Sequence, residues 1–133
     1  MIGVAKLMLQ TGDGKLLLLH RSNHPSLPND PDLPGGTLEK NEEPIAALLR
    51  EVSEEIGIKF DSKSVELVFQ SDKYESGRIY YLYKSLCRVK PNIIISWEHT
   101  DYQWLDLKDF TSQSHLAKDH YMHMVYDYLS QNN

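Results

Sequence analysis

Apolar residues dominate positions 2–9 and 16–19, and TGDGK separates the two runs. Gly12-Asp13-Gly14 supplies the permissive backbone of a hairpin, so the pattern predicts strand, turn, strand. Between Pro25 and Pro34 the apolar pattern breaks into a loop with four prolines and two aspartates. The loop runs into Pro34-Gly35-Gly36, where backbone can turn sharply and approach a ligand closely. Helical periodicity follows. Pro44 suits a first turn, Gly57 is a natural stop, and Ile45, Leu49, Val52 and Ile56 form an i, i+4, i+7, i+11 stripe facing a core. SVELVFQSDKY and RIYYLYKSLCRV then read as a second hairpin around Glu75-Ser76-Gly77. NIIISW after Pro91 predicts a short strand, and Trp104-Leu105 the centre of another. Asp106 is placed to cap a short turn from Leu107 to Phe110. Ala117, Tyr121, Met124, Val125 and Tyr128 give a second amphipathic helix spanning Ser114 to Ser130. Strands joined by tight turns and mixed with helices predict an α/β or α+β layered domain with a mixed sheet.

The 133 residues suit one domain covering 1–133, with no repeat and no linker. A formal charge of −5 argues against nucleic acid or an anionic membrane as partner. The single cysteine, Cys87, excludes an intrachain disulfide and fits a reducing compartment. No apolar run is long enough to span a bilayer and no secretory signal is visible, so a cytoplasmic protein is expected.

One helix carries an electrostatic oddity. Glu51, Glu54 and Glu55 stand at i, i+3 and i+4, within an arc of about 100° on a side away from the apolar stripe. Like charges at that spacing repel. The usual remedy, a lysine four residues on, is missing: Glu55 and Ile58 follow Glu51 and Glu54 at i+4, and Lys59 lies beyond the Gly57 stop. The bland interpretation is a solvated acidic face. The chemical one is a site for a hard divalent cation such as Mg²⁺ or Mn²⁺, which takes carboxylate oxygens, water and substrate phosphates. Metal would also let an acidic chain bind a polyphosphate. It would polarise water for attack on phosphorus.

Gly36, Glu42 and then Arg50-Glu51-Val52, Glu54-Glu55 and Gly57-Ile58 stand at the spacing Gly, five residues, Glu, seven residues, Arg-Glu-aliphatic-any-Glu-Glu-any-Gly-aliphatic. This resembles the Nudix box of the MutT-like hydrolases, with every specified position filled. LLLLHRS, DLPGG and EHTDYQWLDLKDF are similar to segments that flank the box in that family. The resemblance implies a three-layer α/β/α sandwich around a mixed β-sheet. It implies hydrolysis of a diphosphate linkage in a nucleoside di- or triphosphate or a nucleoside diphosphate derivative, using Mg²⁺ or Mn²⁺. Glu51, Glu54 and Glu55 would bind metal, with Glu51 the first candidate for the base. Arg50 and Glu42 would pair to orient the helix, and the Gly35 carbonyl would add a ligand.

Outside the box, the resemblance makes Glu98 a further candidate metal ligand or base and Arg21 a candidate phosphate contact. Gly36 and Tyr81 complete the candidate substrate-binding set, although packing is the ordinary role of a tyrosine on an alternating strand. The histidines form no metalloprotease motif, and no Gly-x-Ser-x-Gly elbow is present. Asp32 stands where family members often carry an aromatic residue, two positions before Pro-Gly-Gly. The 23–32 loop is a candidate lid. Expected partners are a small nucleotide-like molecule and, at most, a second copy in a homodimer. Two alternatives remain: a non-catalytic nucleotide or ADP-ribose binding module, and isopentenyl diphosphate isomerase. The first commonly lacks box glutamates, and the second places its cysteine before the box.

Overall fold

A computed structural model describes residues 1–22 and 29–132. The strands are β1 (Ile2–Thr11), β2 (Leu16–Arg21), β3 (Pro31–Asp32), β4 (Gly35–Thr37), β5 (Glu66–Ser71), β6 (Arg78–Cys87) and β7 (His99–Leu105). The helices are α1 (Pro44–Ile56), α2 (Leu107–Leu116) and α3 (His120–Gln131).

Strand β1 is the organising element. It pairs in parallel with β6 along its whole length, from Ile2–Arg78 to Thr11–Cys87. Its other edge takes β4 through Val4–Thr37, Ala5–Gly36 and Lys6–Gly35, then meets β2 at Gln10–Leu16. Antiparallel partners extend the sheet, β5 on β6 and both β3 and β7 on β2. Side chains of a strand alternate between faces, and here both faces are covered. Leu7, Leu9, Leu17 and Leu19 pack with Leu48, Val52 and Ile56 of α1. Val4, Met8, Leu16 and Leu18 pack with Phe110 of α2 and with Tyr121, Met124 and Val125 of α3. The LLLL run is apolar throughout because its alternate residues enter two different cores. The result is the α/β/α sandwich around a mixed sheet.

Several local expectations change. The buried stripe of α1 is Ala47, Leu48, Val52 and Ile56, whereas Ile45 and Leu49 are only partly buried at its flank. The NIIISW segment is not a strand. Its backbone donors go to the last carbonyls of α1: Ile94 N–H to Ile56 at 3.1 Å and Ser96 N–H to Glu55 at 3.0 Å. The strand expected around Trp104 begins at His99 and ends there instead. Asp106 does cap a helix, accepting from the Asp109 N–H at 2.8 Å, but the helix runs on to Leu116. The tail is accordingly not one helix from Ser114. The Asp30 carboxylate accepts from the N–H groups of Lys118 (2.9 Å) and Asp119 (3.1 Å), which breaks the chain between α2 and α3. Asp119 then caps α3. The proline loop contains the short strand β3 and leads directly into β4. Most of the expected lid, residues 23–28, lies outside the described residues.

Capping at the start of α2 gives a stability prediction. Asp106→Ala removes the acceptor at the helix N-terminus and lowers the unfolding free energy by about 1 kcal/mol. Asp106→Asn retains most of it. Urea denaturation of the three proteins checks both values, and equal stability of the alanine variant contradicts the cap.

Candidate active site

The site forms where β4 is squeezed between β1 and α1. Gly35 has φ 137°, and a Cβ there would lie 2.0 Å from the Ala5 carbonyl oxygen. A Cβ on Gly36 would lie 2.5 Å from Cδ of Glu51. Gly35 is therefore required by close approach to strand backbone, whereas a side chain at Gly36 would displace the Glu51 carboxylate. On the facing helix, Gly57 ends α1 at φ 74° and donates its N–H to Ser53 O at 3.1 Å. The approach of Glu51 to Gly36 sets how closely α1 lies over the Pro34-Gly35-Gly36 turn.

Arg50 ties the acidic groups together. Its Nε and Nη2 donate to the two oxygens of Glu42 at 3.0 and 2.9 Å, a bidentate fork. Nη1 donates to Glu51 at 2.9 Å and lies 3.7 Å from Glu54, and Nη2 reaches the Thr37 carbonyl at 3.3 Å. Hydrogen bonds from Arg50 and from the Glu39 backbone hold the Glu42 carboxyl at about 2. The Arg50–Glu42 pair expected from the resemblance is present. The further bond to Glu51 fixes one of the three box carboxylates in position.

Those carboxylates do not share one environment. The Glu54 side chain is 61% exposed, whereas Glu55 is 3% exposed. Glu55 follows Leu48 by seven residues, which returns the helix to within about 20° of the same direction. It therefore sits on the border of the core stripe, not on a separate acidic face. Burial pushes its pKa up. Lys6 pulls it down, Asp32, Glu51 and Glu98 push it up again, and the outcome is about 8. Gly35 N–H approaches Glu55 Oε2 at 3.4 Å, a weak compensation.

Behind Glu55 lies a polar knot centred on Asp32. Its Oδ1 accepts from Lys6 Nζ at 3.0 Å, Arg21 Nη2 at 3.1 Å and the Tyr121 hydroxyl, and its Oδ2 meets His99 Nε2 at 2.9 Å. Burial alone would raise the Asp32 pKa, but Lys6, the His99 bond, Arg21 and Tyr121 outweigh it and hold the carboxyl well below the usual range. Asp32, Glu55 and His99 offer ligand atoms within 4.8 Å of one another. Asp32 already faces two cations and four donors, so this trio is a poor cation cage. The alternative donor set for Mg²⁺ or Mn²⁺ is Glu51, Glu54, Glu55 and the Gly35 carbonyl, all hard oxygens, with Glu51 and Glu55 reaching the glycine turn from α1.

Other sequence candidates divide. Glu98 is exposed just before β7, its carbonyl fixed by Ser22 N–H at 3.0 Å and its charge felt at Glu55. Gly36 and Arg21 both line a pocket of about 590 Å³ that also includes Lys6, Tyr80, Lys118 and Asp119. Arg21 Nη2 is held between Asp32 and Asp119, at 3.1 and 2.6 Å. Tyr81 does not line that pocket. It packs partly buried on the α1 side of the sheet, and strand alternation gives the pocket face to Tyr80. A larger cleft of about 800 Å³, lined by Leu107, Leu116 and Tyr126 among others, includes none of the box residues.

Lys6, His99, Asp119 and Tyr121 were not among the sequence candidates, and Asp32 stood out only as a departure. Lys6 does carry a signal: in VAKLM it occupies the same face as Val4 and Met8, an inward position for a charge. Asp32 and Asp119 become partners only through contacts 26 and 98 residues long in sequence, Lys6–Asp32 and Arg21–Asp119.

A family model for the NUDIX domain matches residues 1–126. The chain belongs to this family, the Nudix hydrolases, a class that cleaves pyrophosphate linkages. Among solved structures, it resembles a MutT protein from Methanosarcina mazei at 23% identity and TM-score 0.73, with 98% of this chain and 91% of that one covered. An Ap4A hydrolase of C. elegans gives 19% identity, TM-score 0.68 and coverages of 96% and 93%. A bifunctional NMN adenylyltransferase/ADP ribose pyrophosphatase from Francisella tularensis, complexed with AMP and a manganese ion, gives 20% and 0.70, with coverages of 93% and 40%. At these identities the likeness establishes the fold. No curated protein matches the chain in sequence.

The raised pKa of Glu55 gives a pH signature. The folded chain keeps a proton there up to about pH 8, while the unfolded chain releases it near 4.5. Its contribution to stability is full below pH 4.5 and is lost as pH rises through 8. Within that window one bound proton changes stability by about 1.4 kcal/mol per pH unit. Without divalent ion, Glu55→Gln therefore flattens the fall in stability between pH 5 and 8. Urea melts across that range check it, and parallel curves for the two proteins contradict the buried-acid assignment.

Proposed function

We propose that this chain hydrolyses a diphosphate linkage in a nucleoside di- or triphosphate, or in a nucleoside diphosphate derivative, with the help of Mg²⁺ or Mn²⁺. The observation that carries this reading is the convergence of Glu51, Glu55 and the Gly35-Gly36 backbone beside a pocket lined by Arg21, Lys118 and Tyr80. Glu51, Glu54, Glu55 and the Gly35 carbonyl are the residues that would hold the cation. Bound there, the ion would neutralise phosphate charge and acidify water.

The remaining roles belong to the chain. Water oxygen attacks a phosphorus, its proton passes to a carboxylate, and the bond from that phosphorus to the bridging oxygen breaks. The bridging oxygen leaves with the departing phosphate. Glu51 is our candidate for the base, because Arg50 fixes its carboxylate and it is less buried than Glu55. Glu98 would add a further carboxylate from the opposite loop. The pocket would hold the nucleoside part. Its polar wall, which includes Lys118 and Asp119, suits a ligand with both acceptor and donor groups. The Ap4A hydrolase and the AMP-bound ADP ribose pyrophosphatase named above, 19% and 20% identical, are proteins that handle nucleotide compounds, which agrees with a nucleotide-like ligand.

The test is a panel of nucleoside triphosphates, oxidised nucleotides, dinucleoside polyphosphates and nucleotide sugars, scored for phosphate or pyrophosphate release with and without Mg²⁺ or Mn²⁺. Expected is metal-requiring turnover that falls at least about a hundredfold in Glu54→Gln and in Glu55→Gln, since outer-shell changes at metal sites already cost 10–100-fold. Unchanged rates in both variants contradict the site. Tight nucleotide binding without any turnover favours a binding module instead.

A further inference from the structure

Lys6 is an odd residue to find in a strand centre. Its side chain is 8% exposed, and it lies on the core face between Val4 and Met8. A buried ammonium is costly unless its charge and donors are matched. Its matches are specific: Asp32 Oδ1 at 3.0 Å, the Leu33 carbonyl at 3.2 Å, and the Gly35 carbonyl at 3.5 Å. The face of the Tyr121 ring lies 4.8 Å away. The Gly35 carbonyl is the backbone oxygen assigned above to the divalent ion, and the N–H of the same residue approaches Glu55 at 3.4 Å. The lysine thus reaches the ion's own donor set from behind.

We propose that Lys6 is a built-in counter-cation of the divalent-ion site, and that Asp32 sets how strongly it competes with the ion. The inference rests on the reading that the box glutamates hold a divalent cation. Among charged groups, Lys6 has the largest effect on Glu55, so it partly neutralises the cluster before an ion arrives. An incoming divalent ion meets the ammonium as a like charge. Asp32 draws that ammonium away from Gly35 and Glu55. Arg21, His99 and Tyr121 fix Asp32 in turn, so the lysine moves and the carboxylate stays. The knot thereby tunes ion affinity without contributing a ligand, and Lys6 and Asp32 are positioning residues.

The arrangement predicts opposite effects from its two members. Removing the ammonium removes a competitor. Neutralising Asp32 releases the ammonium toward Gly35 and Glu55. A purely structural role would instead weaken the site in both cases. The experiment is Mn²⁺ binding by isothermal calorimetry in the absence of substrate, on proteins shown to be folded by circular dichroism. Lys6→Met should bind Mn²⁺ about tenfold more tightly, Asp32→Asn about tenfold more weakly, and the double variant within about threefold of the wild type. Lys6→Gln, which keeps a donor without the charge, should follow Lys6→Met and serves if the methionine variant does not fold. Folded Lys6 variants that bind Mn²⁺ equally or more weakly overturn the proposal, as does an unchanged Asp32→Asn. A wild type that binds no Mn²⁺ overturns the metal reading itself, an outcome distinct from a failure of Lys6 alone.

Discussion

Three layers meet at Gly35 and Gly36, with no room for a side chain at the first and none at the second unless Glu51 moves. Strand β1 passes within 2.0 Å of where a Gly35 Cβ would sit, and Glu51 within 2.5 Å of a Gly36 Cβ. This close approach brings α1 carboxylates down onto a strand backbone. The rest of the site depends on it. The pairing of β4 with β1 holds the turn in place from one side. Leu48, Val52 and Ile56 hold α1 from the other, each fully buried and each contributing on the order of 2 kcal/mol of apolar burial. The same helical stripe that anchors α1 carries Glu55 along its border into the interior.

The charge balance follows from that geometry. A carboxylate forced to the edge of a core must be protonated, paired or bound to a cation. Glu51 is paired, with Arg50. Glu54 is in solvent. Among the described residues, the Glu55 carboxyl has a long contact from Gly35 and the field of Lys6, and its pKa of about 8 records the shortfall. A divalent ion would relieve it, and repulsion among box glutamates would become attraction to that ion. The Asp32 knot shows the contrasting solution, a buried acid satisfied from within the chain by Lys6, Arg21, His99 and Tyr121.

Much of this was legible in the residues. The box is local: its glycines, its Arg50–Glu42 pair and its helix limits depend on spacing within one loop and one helix, and the spacing is complete. The four leucines of β2 and the hairpin around Gly77 likewise follow from local pattern. Other features depend on distant contacts. Residues 92–97 look like a strand from their isoleucines, yet their N–H groups complete the end of α1. Ser114 to Ser130 has helical periodicity throughout, but Asp30, far away in sequence, accepts the two N–H groups at the break. In the sequence Glu55 groups with the exposed glutamates, and only Leu48 at the centre of the core stripe sets it apart. The polar knot was invisible because Lys6, Asp32, His99 and Tyr121 come together only after the sheet forms.

The central claim is that Glu55 stays protonated in the folded chain until a cation takes its place. The most direct test is calorimetric Mn²⁺ binding at pH 7 in buffers of different ionisation enthalpy, which counts protons released on binding. With a Glu55 pKa of about 8, the wild type should release close to one proton per ion bound at that site, and Glu55→Gln should release almost none. Mn²⁺ binding by the wild type with no proton release would contradict the account.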